Sequence, residues 1–285
     1  MSSSRILFVT DSTATFEHPH FPEDYGLTLV PVNVRFGQHA YRHLDDIDNE
    51  EMLQRMQHVQ TLPSVEAPSV AAFEQVYKRL CQVSTQICVI VHSRHLSRTY
   101  DHAVAARESL LGRCDIAVID SQTMSVGLAY TVEKMIEMAA FGATLDDLMR
   151  ASHSLTHRVY SVIYATDLDY IRRSGLLDET QTIVGSMLDV KPLISMEDGR
   201  LIAMEKARTH AQAIDKIIEF VTEFTAIERL AVVQTTRRSN DRTRMLQDRL
   251  ALELTRHNYP VLQYDPLTAC SVGLNSLGIF VLEES

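Results

Sequence analysis

Three segments constrain what this chain can fold into: ILFVT at 6–10, ICVIV at 87–91 and IAVI at 116–119. Each is an unbroken apolar run of strand length, the pattern of strands covered on both faces. Segments of helical periodicity stand between them. DIDNEEMLQRMQHV (46–59) puts Met52, Leu53, Met56 and Val59 on one face, with acids in its first turn. VAAFEQVYKRLCQ follows Ser69, a residue suited to cap it, and further helices are expected over about 98–111 and 126–140. Strand–helix alternation of this kind predicts a parallel, doubly wound α/β sheet. LTLVPVNVRF (27–36) reads as a further strand with Pro31 at an edge or bend, and TLPSVEAPS (61–69) as a loop.

From about residue 155 the rhythm changes. Strands are expected over 159–167, 229–236, 261–266 and 277–284, with helices over 211–224 and 241–254. DYIRRSGLL suggests a short helix stopped by Gly175. VKPLISMEDGRLIAMEK (190–206) suggests a hairpin turning at Glu197-Asp198-Gly199. We therefore expect an α/β chain of two domains, residues 1–155 with the parallel sheet and residues 156–285 with a mixed, partly antiparallel one.

The three apolar runs end in polar residues that packing does not require. FVTDSTAT (8–15), VHSRHLSRTY (91–100) and IDSQTMS (119–125) place Ser12, Thr13, Ser93, Ser97, Thr99, Ser121 and Ser125 at strand ends, and Ser64 lies in the 61–69 loop. Ser and Thr there can cap the following helices. Alternatively, three polar tips at the carboxyl edge of one parallel sheet mark a ligand site, and hydroxyls beside helix N-termini suit a carboxylate or phosphate.

Other chemistries find little support. Neither GxGxxG nor GxxxxGK[ST] occurs, which argues against dinucleotide and P-loop nucleotide binding. GxSxG is absent and no Ser/His/Asp set can be picked from local sequence. His92 and His95 have metal-like spacing without a visible acid partner, and His18 and His20 read as surface. The net charge of -10 disfavours nucleic acid and anionic membranes, and the pairs Arg172-Arg173 and Arg237-Arg238 read as solvated surface or local basic patches. Four cysteines (Cys81, Cys88, Cys114, Cys270) lack disulfide or finger spacing. With no export signal or membrane-length apolar run, the expected setting is the cytoplasm, without stable membrane insertion.

The ordered blocks FVTDSTA (8–14), LVPVNVRFG (29–37), LSRTY (96–100), VIDSQTMSVGL (118–128), LDYIRRSG (168–175) and LDVKPLISMEDGRL (188–201) resemble the DegV family of bacterial fatty-acid-binding proteins; a weaker match follows at 268–278. The resemblance implies a two-domain α/β carrier, not an enzyme, with an acyl chain between its domains and no cofactor. It also implies a separate kinase partner that phosphorylates the carboxylate. Ser12, Ser64, Ser93, Arg94 and Ser271 become the ligand-binding candidates, with Val65, Glu66 and Cys270 as modulators of the head-group site. Arg172 and Arg173 become candidate contacts to the partner or phosphate. Asp11 and Ser12 are expected to be structural donors and acceptors rather than catalysts.

Several matching positions depart from the family pattern. Val65 and Glu66 replace hydroxyl residues, Arg94 a Ser, Arg98 a Gly, Ser271 a His and Leu176 an Arg. Arg94 could fork onto a carboxylate, or pair with Glu66 and leave room for a neutral or zwitterionic ligand. In the third reading both point to solvent, with Ser93 and Ser64 facing inward. The alternative function is a divergent carrier or regulator of another small acidic or lipid-like ligand.

Overall fold

The computed structural model describes residues 5–58, 62–166, 170–171, 190–254 and 258–284. The first apolar run forms β1 (Leu7–Asp11), followed by a short helix α1 (Phe21–Tyr25). The run at 27–36 does not make one strand. Pro31 divides it into β2 (Thr28–Val30) and β3 (Asn33–Phe36), which enter different sheets. Proline donates no ladder hydrogen bond, so the break falls where it stands.

Next come β4 (His39–Arg42), α2 (Asn49–Met56), β5 (Ser64–Glu66), α3 (Val70–Leu80) and β6 (Gln86–Val91). The Asp48 and Ser69 side chains cap α2 and α3, accepting from the amides of Glu51 and Ala72. The 61–69 stretch is thus part strand, because its central residues pair antiparallel with β3. Then follow α4 (Thr99–Arg107) with a 3-10 turn at Glu108–Leu110, β7 (Asp115–Asp120), α5 (Ser125–Ala140) and α6 (Leu145–Thr156).

β2, β1, β6 and β7 form the expected all-parallel sheet in that order. The chain winds from β1 to β2 on one side and places β6 and β7 on the other, so a topological switch point lies between β1 and β6. The small sheet β4-β3-β5 is antiparallel.

The second half carries β8 (Val159–Tyr164), β9 (Lys191–Glu197), β10 (Arg200–Ala207), α7 (His210–Thr222), β11 (Ile227–Gln234), α8 (Asp241–Glu253), β12 (Val261–Gln263), α9 (Pro266–Val272) and β13 (Leu277–Glu283). The sheet order is β10-β9-β8-β13-β11-β12, antiparallel except for β11 with β12. The hairpin turn falls where expected, with Asp198 and Gly199 both at positive φ. Of the segment DYIRRSGLL, only Tyr170 and Ile171 are described; Arg172, Arg173, Gly175 and Leu176 lie outside the described residues.

Helix α5 joins the two halves. It packs on β6 of the parallel sheet and on β8 and β13 of the mixed one. Ten of its residues are buried, from Ser125 through Val132 together with Met135 and Ile136. A Cβ at Gly127 would stand 2.9 Å from Val159 Cγ1 and closer still to Thr123, so the missing side chain permits this approach. One apolar core spans both halves, taking in Phe8, Ile90 and Leu128 with Ile163, Met196 and Phe280. An ion network reinforces the junction. Arg229 of β11 pairs with Glu17 at 3.0 Å and with Glu133 of α5, and lies over the Tyr130 ring at 4.2 Å.

Candidate functional site

The polar ends of β1, β6 and β7 meet in one buried cluster. Asp11, Ser12, Thr13, His92, Ser93, Thr99, Ser121, Thr123 and Ser125 are all buried there, together with Asp265, Thr268 and Ser271 from α9 and its cap. Capping of α4 and α5 does not explain the hydroxyls at the strand tips. The cap positions of α4 and α5 are Arg98 and Met124, and neither makes a side-chain cap hydrogen bond. The hydroxyls are instead used mostly between and within the tips.

Asp11 is the hub. One carboxylate oxygen accepts from the Thr13 amide at 3.0 Å and the Thr13 hydroxyl at 2.5 Å. The other accepts from the His92 amide at 2.9 Å and lies 3.0 Å from His92 Nδ1. Burial alone would raise the Asp11 pKa, but the charge and hydrogen bonds of His92 and the Thr13 hydroxyl bring it below the usual carboxylate value. For His92, burial opposes the charged form, yet Asp11, with Asp265 and Asp120 further off, raises the imidazole above its ordinary value. On the far side of the ring, His92 Nε2 lies 2.6 Å from Ser97 Oγ. Ser97 Oγ in turn lies 2.8 Å from Thr99 Oγ1 and accepts from the Thr99 amide at 3.1 Å.

Ser12 ties β1 to the small sheet. Its hydroxyl oxygen accepts from the Val32 amide at 3.0 Å and lies 2.9 Å from His43 Nδ1. His43 Nε2 contacts Asn49 Oδ1 at 2.8 Å. Burial lowers the His43 pKa to about 4. On β7, Asp120 accepts from the amides of Gln122 at 3.0 Å and Arg94 at 3.3 Å.

The second half closes over these tips at two places. Ser93 donates its hydroxyl to the Gly199 carbonyl at 2.6 Å, joining β6 to the β9–β10 turn. Asp265 caps α9, accepting from the Leu267 and Thr268 amides and, at 2.6 Å, from the Thr268 hydroxyl. Burial raises the Asp265 pKa against those hydrogen bonds. α9 also packs on β5, which brings Cys270 and Ser271 into the neighbourhood of Ser64, Val65 and Glu66. Ser271 is buried but donates to its own helix at Leu267 O, 2.7 Å away. Cys270 is half-buried, and burial, with the Asp265 charge adding, pushes its thiol up to about 12.

The charged candidates do not converge. Glu66 forks onto Arg35 of β3 at 2.6 and 3.0 Å, and both are exposed. Arg94 is half exposed, lies 3.6 Å from Asp101 and stacks over Tyr100. The Arg94–Glu66 pair entertained from sequence is therefore not formed. Ser64, expected to face inward, is exposed, while Val65 packs on the core; strand alternation gives these neighbours opposite faces. His95 is exposed and outside any helix, so the helical HxxH arrangement that a metal pair with His92 would need is not formed. Among the described residues no group of three or more His, Cys, Asp and Glu side chains could hold a metal ion. No described helix is long and apolar enough to cross a membrane.

Sequence reasoning missed His92, which it treated only as half of a metal pair, and Asp265. His92 directly follows a buried strand, a position whose polar side chain must find a partner; the identity of that partner depends on the β1–β6 pairing.

The parallel sheet with its polar switch point, joined by a mixed sheet and a small antiparallel one, defines an α/β protein whose candidate site is the cluster at the strand ends. The chain belongs to the DegV family, whose model, described as uncharacterised protein, matches residues 5–284. A DegV domain-containing protein of Halalkalibacterium halodurans is 26% identical over 279 residues, covering 97% of this chain and 98% of that one. A DegV family protein from Thermus thermophilus, described for its fatty acid binding, superposes with a TM-score of 0.86 at 23% identity, covering 98% of this chain and 100% of that one. DegV of Bacillus subtilis, described as a fatty acid binding protein, gives 0.86 at 23% identity with 99% and 100% covered.

Proposed function

We propose that this chain binds a long-chain fatty acid or similar lipid in a pocket between two domains divided near residue 155, and acts as its carrier. The observation that carries the reading is the direct adjoining of a buried polar cluster and an apolar core drawn from both halves. An amphiphile with one anionic end has the matching division, with its carboxylate towards hydroxyl and amide donors and its chain among Leu, Ile and Phe side chains. The fatty-acid-binding descriptions of DegV proteins from Thermus thermophilus and Bacillus subtilis support it. In this reading Ser93 stands at the head-group end, and a cytoplasmic kinase partner acts on the presented carboxylate.

A second reading, a divergent carrier or regulator of another small acidic or lipid-like ligand, is favoured by one observation. Ser64 and Arg94 are exposed, and Ser271 is bonded within its own helix, so these three do not form a shared clamp. Native mass spectrometry followed by organic extraction separates the two. A co-purified long-chain fatty acid supports the first, and a different extracted acid or lipid supports the second. Fatty acid at a hundredfold excess over Kd should stabilise the fold by about 2.7 kcal/mol. An empty protein with no such gain would sink the first reading.

A further inference from the structure

The contacts of His92 set a carboxylate, an imidazole and the Ser97 hydroxyl in one line. Asp11 Oδ2 lies 3.0 Å from His92 Nδ1, and His92 Nε2 lies 2.6 Å from Ser97 Oγ. A carboxylate on one ring nitrogen places the proton there and turns the other nitrogen towards the hydroxyl as acceptor. Acid, imidazole and hydroxyl stand in the order that makes serine a nucleophile, and such sets are recognised by geometry and roles, not by spacing in the chain. Asp11 and His92 are fully buried, whereas Ser97 keeps part of its surface exposed.

Two further features fit. The Thr99 amide donates to Ser97 Oγ, and the Thr99 hydroxyl is 2.8 Å away. With both donating, the hydroxyl proton of Ser97 is left for His92. Helix α4 begins two residues after Ser97, and its cap position, Arg98, makes no side-chain cap hydrogen bond. The first-turn amides of Tyr100 and Asp101 have no acceptor within the helix and can face a developing oxyanion.

We propose that Ser97 is a nucleophilic hydroxyl that takes an acyl group from a carboxylic ester and passes it to water, with His92 as general base and Asp11 as its orienting partner. Ser97 Oγ attacks the ester carbonyl as the Thr99 hydroxyl turns away, and the Ser97 proton moves to His92 Nε2. The bond from Oγ to the acyl carbon forms, the ester C–O bond breaks, and His92 returns the proton to the departing alkoxide. Water, deprotonated by His92, then attacks the acyl carbon; the bond from Oγ to that carbon breaks, the carboxylic acid leaves, and His92 Nε2 returns the proton to Ser97 Oγ. The charged groups around the imidazole are Asp11 from β1, Asp120 from β7 and Asp265 from the α9 cap, and all three favour its protonated form. Acylation therefore rises with pH as His92 loses its proton.

The test is labelling of the full chain with a fluorophosphonate, with the adduct located by peptide mass spectrometry and p-nitrophenyl acetate turnover followed alongside. The expected adduct is on Ser97, absent in Ser97→Ala and at least about tenfold slower in His92→Gln. No adduct on Ser97 in the folded protein, or labelling whose rate survives His92→Gln, overturns the proposal. Should His92→Gln fail to fold, the wild-type profile decides: a labelling rate that does not change between about pH 5 and about pH 9 overturns it. A protein that holds fatty acid yet takes no label defeats this inference and leaves the carrier reading standing; one that labels but holds none does the reverse.

Discussion

The Asp11 carboxylate and the His92 imidazole meet at 3.0 Å with neither side chain exposed to solvent. Asp11→Asn removes the negative partner and leaves a buried imidazole that has lost its counter-charge. The expected cost is about 3 kcal/mol, read from urea unfolding near neutral pH. A loss under about 0.5 kcal/mol, the range of surface substitutions, would show that the pair contributes nothing net.

The same pair sets a pH dependence with two edges. Asp11 has a lowered folded pKa, so its contribution is present above the unfolded value of 3.8 and fades as pH falls through the lower folded one. His92 has a raised folded pKa, so its contribution is complete below 6.5 and is lost as pH rises through the folded value. Unfolding midpoints of the wild type should therefore fall between about pH 6 and about pH 9 more steeply than those of His92→Gln. Parallel profiles would contradict this.

His43 carries the opposite sign. Its pKa drops from 6.5 to about 4 on folding, so its contribution is present above 6.5 and is lost as pH falls towards 4. The full shift corresponds to about 3 kcal/mol. His43→Gln should flatten the acid limb between those values while leaving the alkaline limb alone.

Gly199 sits at φ 77°, and a Cβ there would stand 2.5 Å from Ser93 Oγ. Gly199→Ala combines backbone strain with a clash that breaks the link between β6 and the β9–β10 turn. A cost of about 1–3 kcal/mol is expected. Adding Ser93→Ala should recover part of it in a double-mutant cycle, because the clash involves that hydroxyl.

Arg229 holds two glutamates and a tyrosine ring across the junction of the halves. Arg229→Met keeps much of the stem and removes the charge, with an expected cost of about 2 kcal/mol by chemical denaturation. Exposed pairs such as Arg94 with Asp101 should show far smaller effects.

The parallel sheet was legible because strands covered on both faces require continuous apolar runs, and 6–10, 87–91 and 116–119 have them. The hairpin at 190–206 was legible from Asp198-Gly199, where the turn demands positive φ. What escaped depends on pairing between distant segments. β5 is three residues long with a single apolar side chain, Val65, and only its register with β3 makes it a strand. α6 and α9 were not anticipated either, although Thr144 forms a capping box with Asp147 and Asp265-Pro266 opens α9. Within the site, the sequence marked the polar tips but not their partners: Arg94 and Glu66 looked complementary until Asp101 and Arg35 proved nearer. The Asp11, His92 and Ser97 arrangement required knowing that β1 and β6 are neighbours.

The division of 27–36 at Pro31 has a dynamic consequence. The small sheet is joined to β2 by two residues, and the second, Val32, has its amide held by Ser12 at the tip of β1 and its carbonyl held by the His43 amide at 2.9 Å. Lifting that sheet thus requires breaking buried bonds at the end of the central strand. Amide exchange at Val32 should consequently keep time with exposure of the strand-end cluster, making one proton a clock for both motions.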